Sequence, residues 1–146
     1  MKSPKASSPA VTNVMKANKG RNTNAEKYLR KYLHSSGLRY AIDARPEKDI
    51  SSRADIVFRS AKVAIYVHGC FWHGCPKHYK SPKTNRKYWN WKRQTNQARD
   101  KRTKRLLTKR GWKVIVYWEH QDVSKYGPNL VRIVKERRTS YSPARR

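Results

Sequence analysis

Two short apolar runs, ADIVF (54–58) and VAIYV (63–67), place the first constraint on this chain. Both are rich in β-branched residues and too short for buried helices, so each reads as a buried strand. Around them the sequence spells out further elements in order. Ala25, Tyr28, Leu29, Tyr32 and Leu33 recur at helical spacing, and Gly37 stands where a helix stop belongs. LRYAI (38–42) and a polar loop lead into the two apolar runs. A long, very basic helix is expected from Arg86 to Arg110, ended by Gly111, followed by the apolar strand WKVIVYW (112–118). Pro128 is expected to open a short last helix carrying Leu130, Val131, Ile133 and Val134. The order helix, three strands, helix, strand, helix predicts an α/β fold, a mixed sheet flanked by helices. Residues 1–21 read as a disordered basic arm, 22–138 as one domain, and 139–146 as a frayed basic tail.

Charge narrows the partners. Lys and Arg number 36 against 9 Asp and Glu, a formal net charge of +27. Such an imbalance raises the free energy of the compact state by self-repulsion, and a polyanion relieves it. A membrane surface would call for a basic helix with a continuous apolar face or a lipidation motif, and the sequence shows neither. Nucleic acid is the expected partner. Between Lys77 and Lys113 there are 15 Lys or Arg and a single acid, Asp100. A merely soluble helix would mix signs, so this run reads as a phosphate-contacting surface. No apolar run reaches the length of a membrane span, and the first residues lack the apolar core of a secretion signal. A cytoplasmic, reducing location is therefore expected, where two cysteines suggest metal or buried thiols more than a disulfide.

Acids are scarce enough that each raises a question. Asp55 opens a buried strand, where a lone carboxylate is costly unless paired or bound to a cation. It reads either as a Mg²⁺ ligand at a strand end or as an ion-pair partner of Arg53. Thr23-x-x-Glu26 fits a capping box, which on spacing alone ranks ahead of a catalytic role for Glu26. Asp100, alone in its basic field, is placed to hold a histidine or an arginine.

The densest segment is His68-Gly-Cys-Phe-Trp-His-Gly-Cys-Pro-Lys-His78. Cys70, Cys75 and His78, with His120 after the last strand, form a tetrahedral zinc set or, equally, buried thiols beside surface histidines. His68 and His73 are suited to proton abstraction near neutral pH, or are ordinary surface histidines. Phe71 and Trp72, in a glycine-rich loop amid positive charge, are placed to stack on bases or wedge between them. Trp91, close to Tyr88 on the expected helix, reads as core.

At this segment the chain resembles a known family. HGCFWHGCPKH, followed by PKTN, KYW, N-x-x-RD, the GW before a strand and WEH, resembles the very-short-patch repair (Vsr) mismatch endonucleases. The likeness extends back through RADIVF, LHSSGLRY and the Glu26 helix to Met15, covering about residues 13 to 122. The resemblance implies a restriction-endonuclease-like core with a structural zinc, and Mg²⁺-dependent nicking of one DNA strand 5′ to the thymine of a T·G mismatch. It further implies that Asp55 binds Mg²⁺ with the carbonyl of Val67 and that His73 is the general base with Asp100 beside it. Glu26 and His68 would organise metal-bound water. Phe71, Trp72 and Trp89 match aromatics that wedge beside the mismatch, and Met15 falls in an arm reaching around the duplex. The zinc set implied is Cys70, Cys75, His78 and His120, with His120 standing where cysteine is common. A monomer is expected, acting on double-stranded DNA, with repair proteins as further partners. A nicking or homing-type endonuclease of different site preference is the alternative, as is a basic DNA-binding protein without catalysis.

Overall fold

The helical spacing after residue 24 becomes α1 (Asn24–Ser35), which buries Leu29 and Leu33. It ends in a Schellman turn at Gly37, whose φ is +89°. There the Leu38 amide donates to the Leu33 carbonyl and the Gly37 amide to that of His34. This computed structural model describes residues 24–69, 75 and 83–140. The expected basic arm and nearly all of the expected tail lie outside that range.

The strands are β1 (Ala41–Ala44), β2 (Ala54–Phe58) and β3 (Val63–His68), followed by helix α2 (Arg86–Lys109), β4 (Lys113–Trp118) and helix α3 (Val123–Ser140). They form one mixed sheet in the order β1-β2-β3-β4. β1, β2 and β3 run antiparallel, with Ile56 opposite Ile65 and Val57 opposite Ala64. β4 lies parallel to β3, from Val63 beside Lys113 to His68 beside Trp118. A parallel neighbour requires a crossover, and α2 falls within it.

Strand alternation divides the core in two. Val63 and Ile65 join Leu29, Leu33, Leu38, Leu130 and Val134 in one cluster, the face covered by α1 and α3. Ala64 joins Val57, Leu107 and Trp112 in the other, the face covered by α2. On the first face the helices approach closely: a Cβ on Gly127 of α3 would come within 2.5 Å of the Tyr32 ring of α1. On the second, α2 buries only Asn96, Thr103 and Leu107. Its end is fixed by another Schellman turn at Gly111, φ +88°. Arg110 pairs with Asp49, and the Trp112 indole donates to Glu47 at 2.7 Å, tying the loop before β2 to the turn before β4.

Three expectations need correction. The last helix starts at Val123, not at Pro128, because Asp122 caps it: Oδ1 accepts from the Ser124 amide at 2.9 Å and hydroxyl at 2.8 Å. Pro128 is carried inside the second turn. The helix also runs on to Ser140, past the expected boundary at 138. Trp91 is 40% exposed, not core. Trp89, Asn96, Asp100, Thr103 and Leu107 follow one another at 7, 4, 3 and 4 residues, the spacing of a single helix stripe. Trp91 lies five residues from Asn96, about 140° around the helix. Among the described residues, no helix is long and apolar enough to cross a membrane.

Candidate active site

The site is assembled where β2 and β3 cease to pair. Asp55, second residue of β2, turns its carboxylate toward β3, and the Val67 amide donates to its Oδ2 at 2.7 Å. Glu26 comes from the first turn of α1, only 4% exposed, and its side chain meets the Asp55 carboxyl. Arg30 lies 3.7 Å from Glu26, one turn along α1. Burial and the neighbouring Glu26 together push the Asp55 carboxyl up to about 6, against the opposing pull of the Val67 amide. The ion-pair reading for Asp55 is therefore overturned. Arg53 pairs instead with Asp43, at 3.2 Å.

Two residues beyond Tyr66 on the same strand face, His68 is buried with its Nε2 3.9 Å from Asp100 Oδ2. Its ring stands edge-on to Trp118 at 5.2 Å, and its carbonyl accepts the Glu119 amide at 2.9 Å. Asp100 reaches it because it lies on the sheet-facing stripe of α2. Asp55, His68 and Asp100 all border one cavity of about 620 Å³, bordered also by Arg99 and Arg102 of α2. The cleft thus sets Asp55, His68 and Asp100 beneath a helix whose outer surface is strongly basic, with Glu26 behind Asp55.

Beyond His68, Cys75 is 2% exposed and its Sγ lies 3.5 Å from Nδ1 of His120. Two of the four residues expected to hold zinc are thus adjacent. Cys70 and His78, the other two, lie outside the described residues, as do Phe71, Trp72, His73 and Met15. Thr23, the capping-box partner expected for Glu26, does so too. Among the described residues, no three His, Cys, Asp or Glu side chains converge as a metal-binding group. Trp89 is half-buried, with its ring edge-on to Tyr88 at 4.9 Å, while Tyr88 also touches Trp91 at 5.9 Å.

Sequence reasoning passed over two residues in the cleft. Tyr66 and Ser52 join through their hydroxyl oxygens at 3.0 Å, both bordering the cavity. The signal was available in β3: Tyr66 must share a face with His68.

Fold and site together define a mixed α/β protein with a carboxylate pair and a histidine–aspartate pair in one cleft, overlaid by a basic helix. Comparison with known proteins gives that description a family. The model of the family described as DNA mismatch endonuclease Vsr matches residues 8–81, and the chain belongs to that family. It is 40% identical over 111 residues to the type II nicking enzyme V.NaeI of Lentzea aerocolonigenes, covering 75% of this chain and 67% of that one. To the type II nicking enzyme V.XorIIP of Xanthomonas oryzae it is 40% identical over 108 residues, 73% of this chain and 76% of that one. To the DNA mismatch endonuclease Vsr of Escherichia coli it is 33% identical over 106 residues, 72% and 66% of the two chains.

Proposed function

We propose that this protein is a DNA endonuclease that nicks one strand of a duplex, 5′ to the thymine of a T·G mismatch, by Mg²⁺-dependent phosphodiester hydrolysis. The observation that carries the reading is the placement of Asp55, His68 and Asp100 in one cleft beneath the basic α2, with Glu26 against Asp55. Membership in the Vsr family and likeness to named nicking enzymes support nuclease chemistry. The basic helix supports a DNA substrate. A purely architectural binder has no use for a buried carboxylate pair, which destabilises the fold unless a cation offsets it.

That carboxylate pair is also the test of fit for Mg²⁺. Asp55 and Glu26 are like charges in a partly desolvated position, an arrangement a hard cation relieves. Asp55 would hold the ion, with the Val67 carbonyl as second protein ligand. When bound, the ion supplies charge neutralisation at the phosphate and a more acidic water. The remaining work falls to side chains. His73 accepts the proton of the attacking water, and Glu26 and His68 orient that water. Asp100, 3.9 Å from Nε2, would position the His68 ring. Phe71, Trp72 and Trp89 wedge beside the mismatch, and Met15 belongs to an arm that reaches around the duplex.

For zinc, the donors present also fit. A thiolate sulfur and an imidazole nitrogen sharing one tetrahedral zinc stand about 3.6 Å apart, given bond lengths of about 2.3 and 2.0–2.1 Å. Cys75 Sγ and His120 Nδ1 stand 3.5 Å apart. Cys70 and His78 complete the set in this reading, which would pin the segment bearing Phe71, Trp72 and His73 to the end of β4.

A second reading, nicking at a different lesion or site, is favoured by the identities. They are 40% to two type II nicking enzymes against 33% to the E. coli mismatch endonuclease. Strand-specific nicking of T·G, U·G and matched duplexes, with Mg²⁺ and with EDTA, separates the readings. Cleavage of the T·G duplex alone is expected; equal cleavage of matched duplex supports the second reading, and no cleavage of any duplex refutes both.

A further inference from the structure

The cleft has a donor that the catalytic reading leaves unused. Resting on the proposed phosphodiester hydrolysis, we propose that Tyr66, steadied by Ser52, contacts the substrate directly, donating a hydrogen bond to a non-bridging oxygen of the phosphate at the nick.

The bottom of the cleft is acidic. Asp55 and Asp100 both border the cavity, and Glu26 stands behind Asp55. A phosphate entering there meets like charge and gains from every neutral donor aimed at it. Arg99 and Arg102 come from α2 across the cavity, whereas Tyr66 and Ser52 sit on the sheet side. The two hydroxyls lie 3.0 Å apart. Such a pair has two protons and uses one in its mutual bond. Whichever oxygen donates within the pair, one O–H is left to donate elsewhere.

The ring is held for this task. It packs against the Ala64, Leu107 and Trp112 cluster and stands edge-on to His68 at 6.4 Å. It also borders an adjoining chamber of about 180 Å³ that shares Ser52, His68 and Asp100 with the larger cavity and adds Val114 and Val116. The phenol thus borders the cleft with its ring packed on apolar side chains and its hydroxyl beside Ser52. Strand alternation brings it to the face that carries His68, two residues on. A side chain needed only for packing has no use for that hydroxyl, and phenylalanine would serve.

The test compares single-turnover nicking by wild type, Tyr66→Phe, Ser52→Ala and Asp55→Ala, on a duplex that the wild type nicks. Each variant is also given that duplex with an Rp or an Sp phosphorothioate at the nick position. Tyr66→Phe is expected to slow nicking by about 10- to 100-fold, with duplex affinity and melting temperature unchanged. Ser52→Ala should slow it less, because the phenol keeps its proton. The wild type should discriminate between the two diastereomers, and Tyr66→Phe should lose most of that discrimination. A Tyr66→Phe rate within twofold of wild type would overturn the contact. So would a slower rate with the diastereomer ratio intact, the mark of a packing defect. Wild-type nicking by Asp55→Ala sinks the endonuclease site itself; an inactive Asp55→Ala beside a normal Tyr66→Phe sinks only the Tyr66 contact.

Discussion

The two faces of the sheet are built on opposite terms. The face under α1 and α3 is apolar and tightly fitted, with Leu29, Leu33, Leu38, Ile65 and Val134 fully buried and Gly127 against the Tyr32 ring. The face under α2 is held by Leu107 and Trp112 at one end, while Asn96, Asp100 and Thr103 meet the sheet along the rest. Stability is concentrated on the first, and the second leaves room for a cleft bordered by Asp55 and the His68–Asp100 pair, and for a basic outer surface. A helix chosen for packing would not present Asp100 to a sheet. α2 does so because His68 waits there, and the cavity beside it is the result.

Four changes would break or sharpen that contrast. The largest effect is expected from Asp55→Ala, which should lower single-turnover nicking by about 10³-fold or more while duplex binding persists. Gel assays paired with filter binding read both, and near-normal nicking would return the cleft to a structural role. Next comes the tight face. Gly127→Ala drives a methyl into Tyr32 and should destabilise the fold by about 1–3 kcal/mol. Denaturant melts would show it, and an unchanged midpoint would mean that the helices give way easily.

Asp55→Asn probes the opposite sign. A carboxyl held at about 6 in the fold adds stability only while protonated, below its unfolded value of about 3.9, and loses it as pH rises through 6. Removing the charge while keeping the Val67 contact should therefore stabilise the metal-free protein by about 1–2 kcal/mol at pH 7. Melts in EDTA should show the variant's advantage growing between about pH 4 and pH 6 and level above that. An advantage constant with pH would locate the strain elsewhere. The smallest effect on stability belongs to the outer surface of α2. Lys101→Ala with Arg105→Ala should leave the melting temperature nearly unchanged. The log–log salt slope of duplex binding should then flatten by about 1.8, since each phosphate left unneutralised removes roughly 0.9. Both residues are exposed on α2.

Legibility followed the same divide. On the apolar face, periodicity and β-branching were enough: α1, β2 and β3 fall where spacing puts them, and Gly37 stops α1 through its positive φ. Asp100 stands out in the sequence as the lone acid of a basic run, and its carboxylate lies 3.9 Å from His68 Nε2. The stripe that carries it escaped notice because Asn96, Asp100 and Thr103 are polar, and hydrophobic periodicity is blind to a polar contact face. Trp91 was misplaced for the converse reason, an aromatic ring taken as core although its angle on the helix points away. The α3 start was misread because a proline signal hid the Asp122 cap, five residues earlier than expected. Local pattern also could not reveal that Glu26 would stand against Asp55, since that contact needs α1 laid across the sheet.

The connectivity of the sheet also gives the cleft an order of assembly. Asp55 and the Val67 amide sit on neighbouring antiparallel strands joined by a four-residue turn, 59–62, a contact a growing chain can make early. His68 finds Asp100 only after α2 has been made, and β4 docks parallel to β3 only after that whole crossover is complete. Long-range parallel pairing is the slow step in folding chains of this kind. A nascent chain thus acquires its carboxylate corner first and its histidine corner last, so the cleft is complete only once β4 has closed the sheet.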